Sequence, residues 1–142
     1  MRRVIIDTNI WLDIFLARPH FAAFSKAALI ACIEDGWDVC IVATSLKDIF
    51  YWVAKSRGSE RAYEALAMLQ RLASLLPVDA VVCEAAMALE KPDYEDGIIA
   101  ACAQIEKVDA IITRDAEAFA DCAAKRFTPY EFAVAAGFRE MK

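Results

Sequence analysis

The sequence predicts an α/β fold in a single domain, residues 1–142, with a parallel sheet covered by helices on both faces. Three observations carry this. Short β-rich segments alternate with helical patterns along the chain, the order expected of a parallel sheet with crossover helices. The first segment, Val4-Ile5-Ile6, is apolar at consecutive positions and so suits a central strand buried on both sides. Hydrophobic residues make up 59% of the 142, enough for a sizeable core and too many for a disordered chain.

Residues 2–6 read as the first strand, and Asp7-Thr8-Asn9 leads into a helical pattern over 10–17 that Arg18-Pro19 ends. A second helix is predicted over 21–35, with Phe24, Ala27, Ala28 and Ala31 spaced for one buried face and Gly36 as its stop. Residues 38–43 form the second strand. Thr44-Ser45 opens a helix that Gly58 closes. The next helix, 59–74, places Tyr63, Leu66, Leu69 and Leu72 or Ala73 inward. Residues 75–78 are a short extended piece, and Asp79 caps a helix that runs to 90. Pro92-Asp93 opens a helix to 107, residues 110–113 are a strand, and 115–121 a short helix. Arg126-Phe127 supplies the last strand. Thr128-Pro129-Tyr130-Glu131 has the marks of a helix start, with Thr as cap, Pro first and Glu three after the cap, and Gly137 ends that helix.

A formal net charge of −5 argues against a general nucleic-acid coating protein, which would be basic. It leaves room for an enzyme that meets nucleic acid through bound cations. Five scattered cysteines with no Cys-x-x-Cys pair suit a reducing cytoplasm rather than a disulfide scaffold. The single histidine, His20, follows Pro19 in a loop and supports no zinc site, serine triad or Cys-His dyad. The apolar runs fall far short of the roughly 18 residues that span a bilayer, so a cytoplasmic protein without a membrane segment is expected.

The carboxylates recur at one kind of place. Asp7 follows the first strand, and Asp48 lies three residues after Ser45 in the helix after the second. Asp93 and Asp96 occupy the first turn of the helix opened by Pro92, and Asp115 follows the strand ending at Thr113. Each also serves as a helix cap or a first-turn charge, a role acidic residues fill commonly. In a parallel sheet, however, positions after strands share one edge, where ligands bind. Carboxylates crowded there repel one another unless a cation compensates them. Mg²⁺ and Mn²⁺ prefer such oxygen ligands, activate a bound water and polarise a phosphate, and this chemistry needs neither histidine nor cysteine. Thr8, Asn9 and Thr113 are placed to steady the carboxylates or their waters.

At these residues the sequence resembles the PIN-domain family, the fold of the VapC-type toxins of bacterial toxin–antitoxin pairs. Asp7-Thr8-Asn9 resembles the family's opening motif, Asp93-Tyr94-Glu95-Asp96-Gly97-Ile98-Ile99-Ala100-Ala101-Cys102-Ala103 its third acidic segment, and Ile111-Ile112-Thr113-Arg114-Asp115 its fourth. The resemblance implies a PIN-like fold with a central five-stranded sheet, and Mg²⁺- or Mn²⁺-dependent endoribonuclease activity, often as a homodimer. It makes Asp7 and Asp96 the main metal ligands, with Asp115 completing the site directly or through water. Asp48 stands where most members carry Glu and is one methylene shorter, though Ser45-Leu46-Lys47-Asp48-Ile49-Phe50-Tyr51 resembles a branch with Asn or Asp there. Ala118-Phe119 replaces a frequent Asp-Phe. Asp93 either joins the acids or only caps its helix.

Arg18, Lys47, Lys55, Arg57, Lys91 and Arg114 are candidate RNA-phosphate contacts, of which Arg114 and Lys47 adjoin the acids. A toxin would have a cognate antitoxin covering the acidic groove, with an inserted Arg pairing to carboxylates. Its substrate would be tRNA, rRNA or mRNA. The alternative is a non-catalytic PIN-like module that binds RNA or a protein partner, and Asp48 in place of Glu is its best support. A phosphoacceptor receiver domain is a poor match, because the first strand offers one acid followed by Thr-Asn and the late strand ends in Thr-Arg-Asp.

Overall fold

The computed structural model describes residues 2–137. In chain order the elements are β1 (Arg3–Ile6), α1 (Thr8–Phe15), α2 (Ala22–Glu34), β2 (Asp38–Val42), α3 (Ser45–Arg57), α4 (Ser59–Leu72), β3 (Ser74–Leu76), α5 (Ala80–Leu89), α6 (Tyr94–Ile105), β4 (Ala110–Ile112), a 3-10 turn (Ala116–Phe119), β5 (Lys125–Phe127) and α7 (Pro129–Ala135). The five strands are all parallel, in the order β3-β2-β1-β4-β5. This is the α/β architecture expected of the sequence.

The run Val4-Ile5-Ile6 explains itself in the sheet. Ile5 stands opposite Cys40 on one side and Ile111 on the other. Val4 and Ile6 point into one core with Trp11, Ala28, Ile49, Leu69 and Phe132, drawn from α1, α2, α3, α4 and α7. Ile5 points into a second core with Val82, Ala86, Ile99 and Cys102 from α5 and α6. A strand covered on both faces has no polar side to alternate with.

Several local expectations shift in the fold. α1 starts at Thr8, ahead of the apolar pattern, because the Asp7 carboxylate accepts from the Thr8 N–H and caps it. The buried face of α2 is Ser25, Ala28, Leu29 and Cys32, with Phe24, Ala27 and Ala31 only half-buried. Ser25 can be buried because its hydroxyl donates to Asp13. In α4 the inward residues are Ala62, Ala65 and Leu69, whereas Tyr63 is 66% exposed and Leu72 is exposed as well. Small alanines let α4 sit close on α3, and Tyr63 instead lies edge-on to Phe50, with ring centroids 4.8 Å apart. Ser45 does not cap α3. Its hydroxyl is buried and shares a 2.6 Å hydrogen bond with that of Thr8. The predicted 115–121 helix is a single 3-10 turn capped by Asp115. The predicted start of α7 is present in full: Thr128 and Glu131 exchange hydrogen bonds of 2.9 and 3.1 Å.

Asp13 is fully buried and gathers three donors: the Ser25 hydroxyl at 3.1 Å, Arg18 at 3.4 Å and Arg114 at 3.5 Å. It ties α1 to α2 and to the segment after β4. Asp13→Ala is expected to lower stability by about 1–3 kcal/mol, below the cost of breaking a fully buried pair because both guanidinium groups reach solvent. A urea titration of the variant checks this. The five cysteines are free thiols, and among the described residues no helix is long and apolar enough to cross a membrane.

Candidate active site at the carboxyl edge of the sheet

Asp7 directly follows the central strand, and its N–H donates to the carbonyl of Ile112 at 3.0 Å, so it stands beside the end of β4. Its two carboxylate oxygens are held separately: one accepts from the Thr8 N–H at 2.7 Å, the other from the Thr113 hydroxyl at 2.8 Å. The Thr113 hydroxyl in turn accepts from the N–H of Asp115 at 3.1 Å. Thr113 therefore joins the first and last acidic motifs through one fully buried side chain.

α6 brings the third motif to the same edge. Its last turn lies at the start of β1, where Arg3 donates to the Glu106 carbonyl at 3.0 Å, so its first turn lies at the opposite, carboxyl edge. The helix seats closely on α5 at Gly97, where a Cβ would come within 3.2 Å of the Ala86 carbonyl. That close approach sets the height of the adjoining Asp96. Asp93 caps α6, its side chain accepting from the Glu95 N–H at 2.9 Å.

The electrostatics report the convergence. Burial pushes the Asp96 carboxyl up to about 6, and the negative charges of Asp93, Asp7 and Asp115 push the same way against Lys91. Burial also raises Asp7, with Asp115 adding to it, while the Thr113 and Thr8 hydrogen bonds and the charge of Arg114 oppose the rise. The charges of Asp7, Asp96 and Asp115 thus act on one another at one edge. Asp93 belongs with them electrostatically as well as capping its helix.

Asp48 arrives from the other layer, in the first turn of α3, and forms a 3.0 Å ion pair with Lys47. Thr8 is held against Ser45, which fixes the start of α1 to the start of α3. Asn9 is exposed and accepts from Arg18 at 3.4 Å. Arg114, a candidate phosphate contact, is already engaged: it pairs with Asp13 and lies 4.0 Å over the Phe21 ring. Lys91 pairs with Asp121 at 2.6 Å.

Two residues that sequence reasoning did not single out bear on the site. Ser45 has no sequence signal beyond its place at the predicted start of a helix. Glu95 is adjacent to Asp96, a spacing that turns side chains about 100° apart on a helix and so argues against a shared pocket. Yet burial raises the Glu95 carboxyl, and the charges of Asp48, Asp7 and Asp93 add to the rise while Lys47 opposes it. Its Oε1 is buried without a hydrogen-bond partner among the described residues. An orphaned carboxylate oxygen among acids, in an all-oxygen donor set, fits a hard divalent cation. Among the described residues no three carboxylates are gathered into a ready-made cage.

The chain matches the family model of the PIN domain over residues 3–117. No curated protein matches it significantly. Among solved structures it is similar to a chain of a toxin–antitoxin complex from Klebsiella pneumoniae, at 26% identity and a TM-score of 0.68, covering 90% of this chain and 98% of that one. A chain of VapBC2 from Rickettsia felis bound to a promoter DNA fragment superposes with a TM-score of 0.68 at 18% identity, over 89% of this chain and 98% of that one. VapC20 of Mycobacterium tuberculosis, described as a sarcin-ricin loop cleaving toxin, does so with a TM-score of 0.66 at 16% identity, over 97% and 98%. The match of the family model across most of its length, on a five-stranded parallel sheet of this order, places the chain in the PIN-domain family.

Proposed function

We propose that this protein is a Mg²⁺- or Mn²⁺-dependent endoribonuclease and the toxin of a toxin–antitoxin pair. The observation that carries the reading is the convergence of Asp7, Asp96 and Asp115 on one sheet edge, with Asp7 and Asp115 joined through the Thr113 hydroxyl and Asp96 in the first turn of α6, a crowding of charge that a divalent cation relieves. The family and the toxin–antitoxin setting of the Klebsiella neighbour support it.

Asp7 and Asp96 are the proposed metal ligands, and Asp115 completes the set. Each oxygen of Asp7 accepts one hydrogen bond from the protein, which leaves lone pairs for a cation. Thr113 orients that carboxylate and, through the Asp115 N–H, keeps the fourth motif in register with it. A bound Mg²⁺ or Mn²⁺ supplies an activated water and neutralises the charge that develops on the phosphate. Asp48, held by Lys47, is placed on the α3 side of the acids, where Lys47 also offers a cation to an incoming phosphate. The proposed partners are an RNA substrate, a cognate antitoxin over the acidic edge, and a second copy of the chain.

A non-catalytic module that binds RNA or a protein partner is the second reading, favoured by the short, ion-paired Asp48. The test is cleavage of a mixed RNA substrate by the purified protein. Endonucleolytic products with Mn²⁺ that vanish with EDTA support the nuclease. RNA retained uncut on the protein with Mn²⁺ present supports the module.

A further inference from the structure

We infer that Glu95 is a fifth carboxylate of the site and supplies the oxygen on the α3 side that Asp48 is too short to deliver. This rests on the metal-dependent reading above. Three observations carry it. The Oε1 atom of Glu95 is sealed from solvent and has no hydrogen-bond donor among the described residues. A glutamate that merely favoured the start of α6 would sit in water, as first-turn charges usually do, and would lose nothing there. Around it stand Asp48, Asp7 and Asp93, and the cation that opposes them, Lys47, is already 3.0 Å from Asp48. The described residues therefore offer this oxygen repulsion and no donor, a combination that native structures keep where a further group completes it.

The geometry of the two layers says why the residue is on α6. Asp48 enters from α3 and its short side chain is drawn to Lys47, next to it in sequence. Glu95 enters from α6, in the opposite layer, one residue before Asp96, and carries the extra methylene that Asp48 lacks. Both successive acids of α6 reach this edge: the charges of Asp7 and Asp115 act on Asp96, and those of Asp48 and Asp7 act on Glu95.

The test is Mn²⁺ binding to the full chain without RNA, measured by the loss of the free-ion electron paramagnetic resonance signal, for the wild type, Glu95→Gln, Glu95→Asp and Glu84→Gln. Glu84 lies on the exposed face of α5 and serves as the charge control. Glu95→Gln and Glu95→Asp are both expected to weaken Mn²⁺ binding about tenfold or more, with unchanged near-ultraviolet circular dichroism and with Glu84→Gln at the wild-type value. The Asp variant keeps the charge and withdraws the oxygen, so wild-type affinity for Glu95→Asp overturns the inference even if Glu95→Gln binds weakly. Wild-type affinity in both Glu95 variants, beside a loss in Asp7→Asn, overturns it and leaves the nuclease reading standing. A wild-type chain that binds no Mn²⁺ overturns both.

Discussion

Asp7→Asn is expected to reduce Mn²⁺-dependent RNA cleavage by about a thousandfold or more while leaving the fold intact. Several kcal/mol of charge stabilisation in the transition state correspond to that factor. The amide still fills the space and can accept from the Thr8 N–H or the Thr113 hydroxyl, but it has one acceptor oxygen where the carboxylate uses two. Thr113→Val, which removes the donor and leaves the carboxylate, is expected to lose about ten- to a hundredfold, the usual effect of releasing a ligand from its orienting partner. Single-turnover cleavage beside near-ultraviolet circular dichroism measures both. Wild-type cleavage by the Asp7 variant would sink the nuclease reading.

Asp96→Asn is expected to abolish cleavage and yet to stabilise the cation-free protein at neutral pH. Burial first, then Asp93, Asp7 and Asp115, hold the Asp96 carboxyl at about 6, against an ordinary value of 3.8. A carboxyl raised in this way binds its proton more tightly folded than unfolded. Its contribution to stability is full below the ordinary value and is lost as pH climbs from 3.8 through about 6. Asp7 and Glu95 are raised as well and act in the same direction, whereas Asp121, lowered by its hydrogen bond to Lys91, acts in the opposite one. Comparing wild type with Asp96→Asn at each pH cancels what the two proteins share. The variant's melting temperature at pH 7.5, with chelator present, should exceed the wild type's by about 4 °C, the effect of roughly 1 kcal/mol in a domain of this size. At pH 4 the gap should close. Mn²⁺ should raise the wild-type midpoint at pH 7.5 and leave the variant's unchanged. Parallel melting curves across the pH range would show that the acids do not crowd.

The strands, helices and caps were legible because their signals are local. Val4-Ile5-Ile6, the Asp79 and Asp93 caps and the Thr128-Glu131 box each declare themselves within a few residues, and each is present in the fold. The faces of α2 and α4 were read only in part, Ala28 and Leu69 being buried as expected, because apolar spacing alone cannot say which residues a neighbour needs. Ser25 is buried to serve Asp13, and the alanines of α4 are buried because α3 lies close. Nothing local marks Asp13 for burial, and only the arrival of Arg18, Arg114 and Ser25 makes that burial tolerable.

By itself, the sequence determined a parallel α/β sheet and put Asp7, Asp96 and Asp115 at the ends and beginnings of its elements, since alternation and caps are written within single segments. Tertiary structure alone decided how those acids are used. It bound Asp7 to Thr113 across 106 positions of chain, engaged Arg114 with Asp13, and brought Glu95 within range of the Asp48 charge from the opposite layer. The reason is physical: a charge and its burial are set by every neighbour that packs around a side chain, and those neighbours come from segments that share no local pattern.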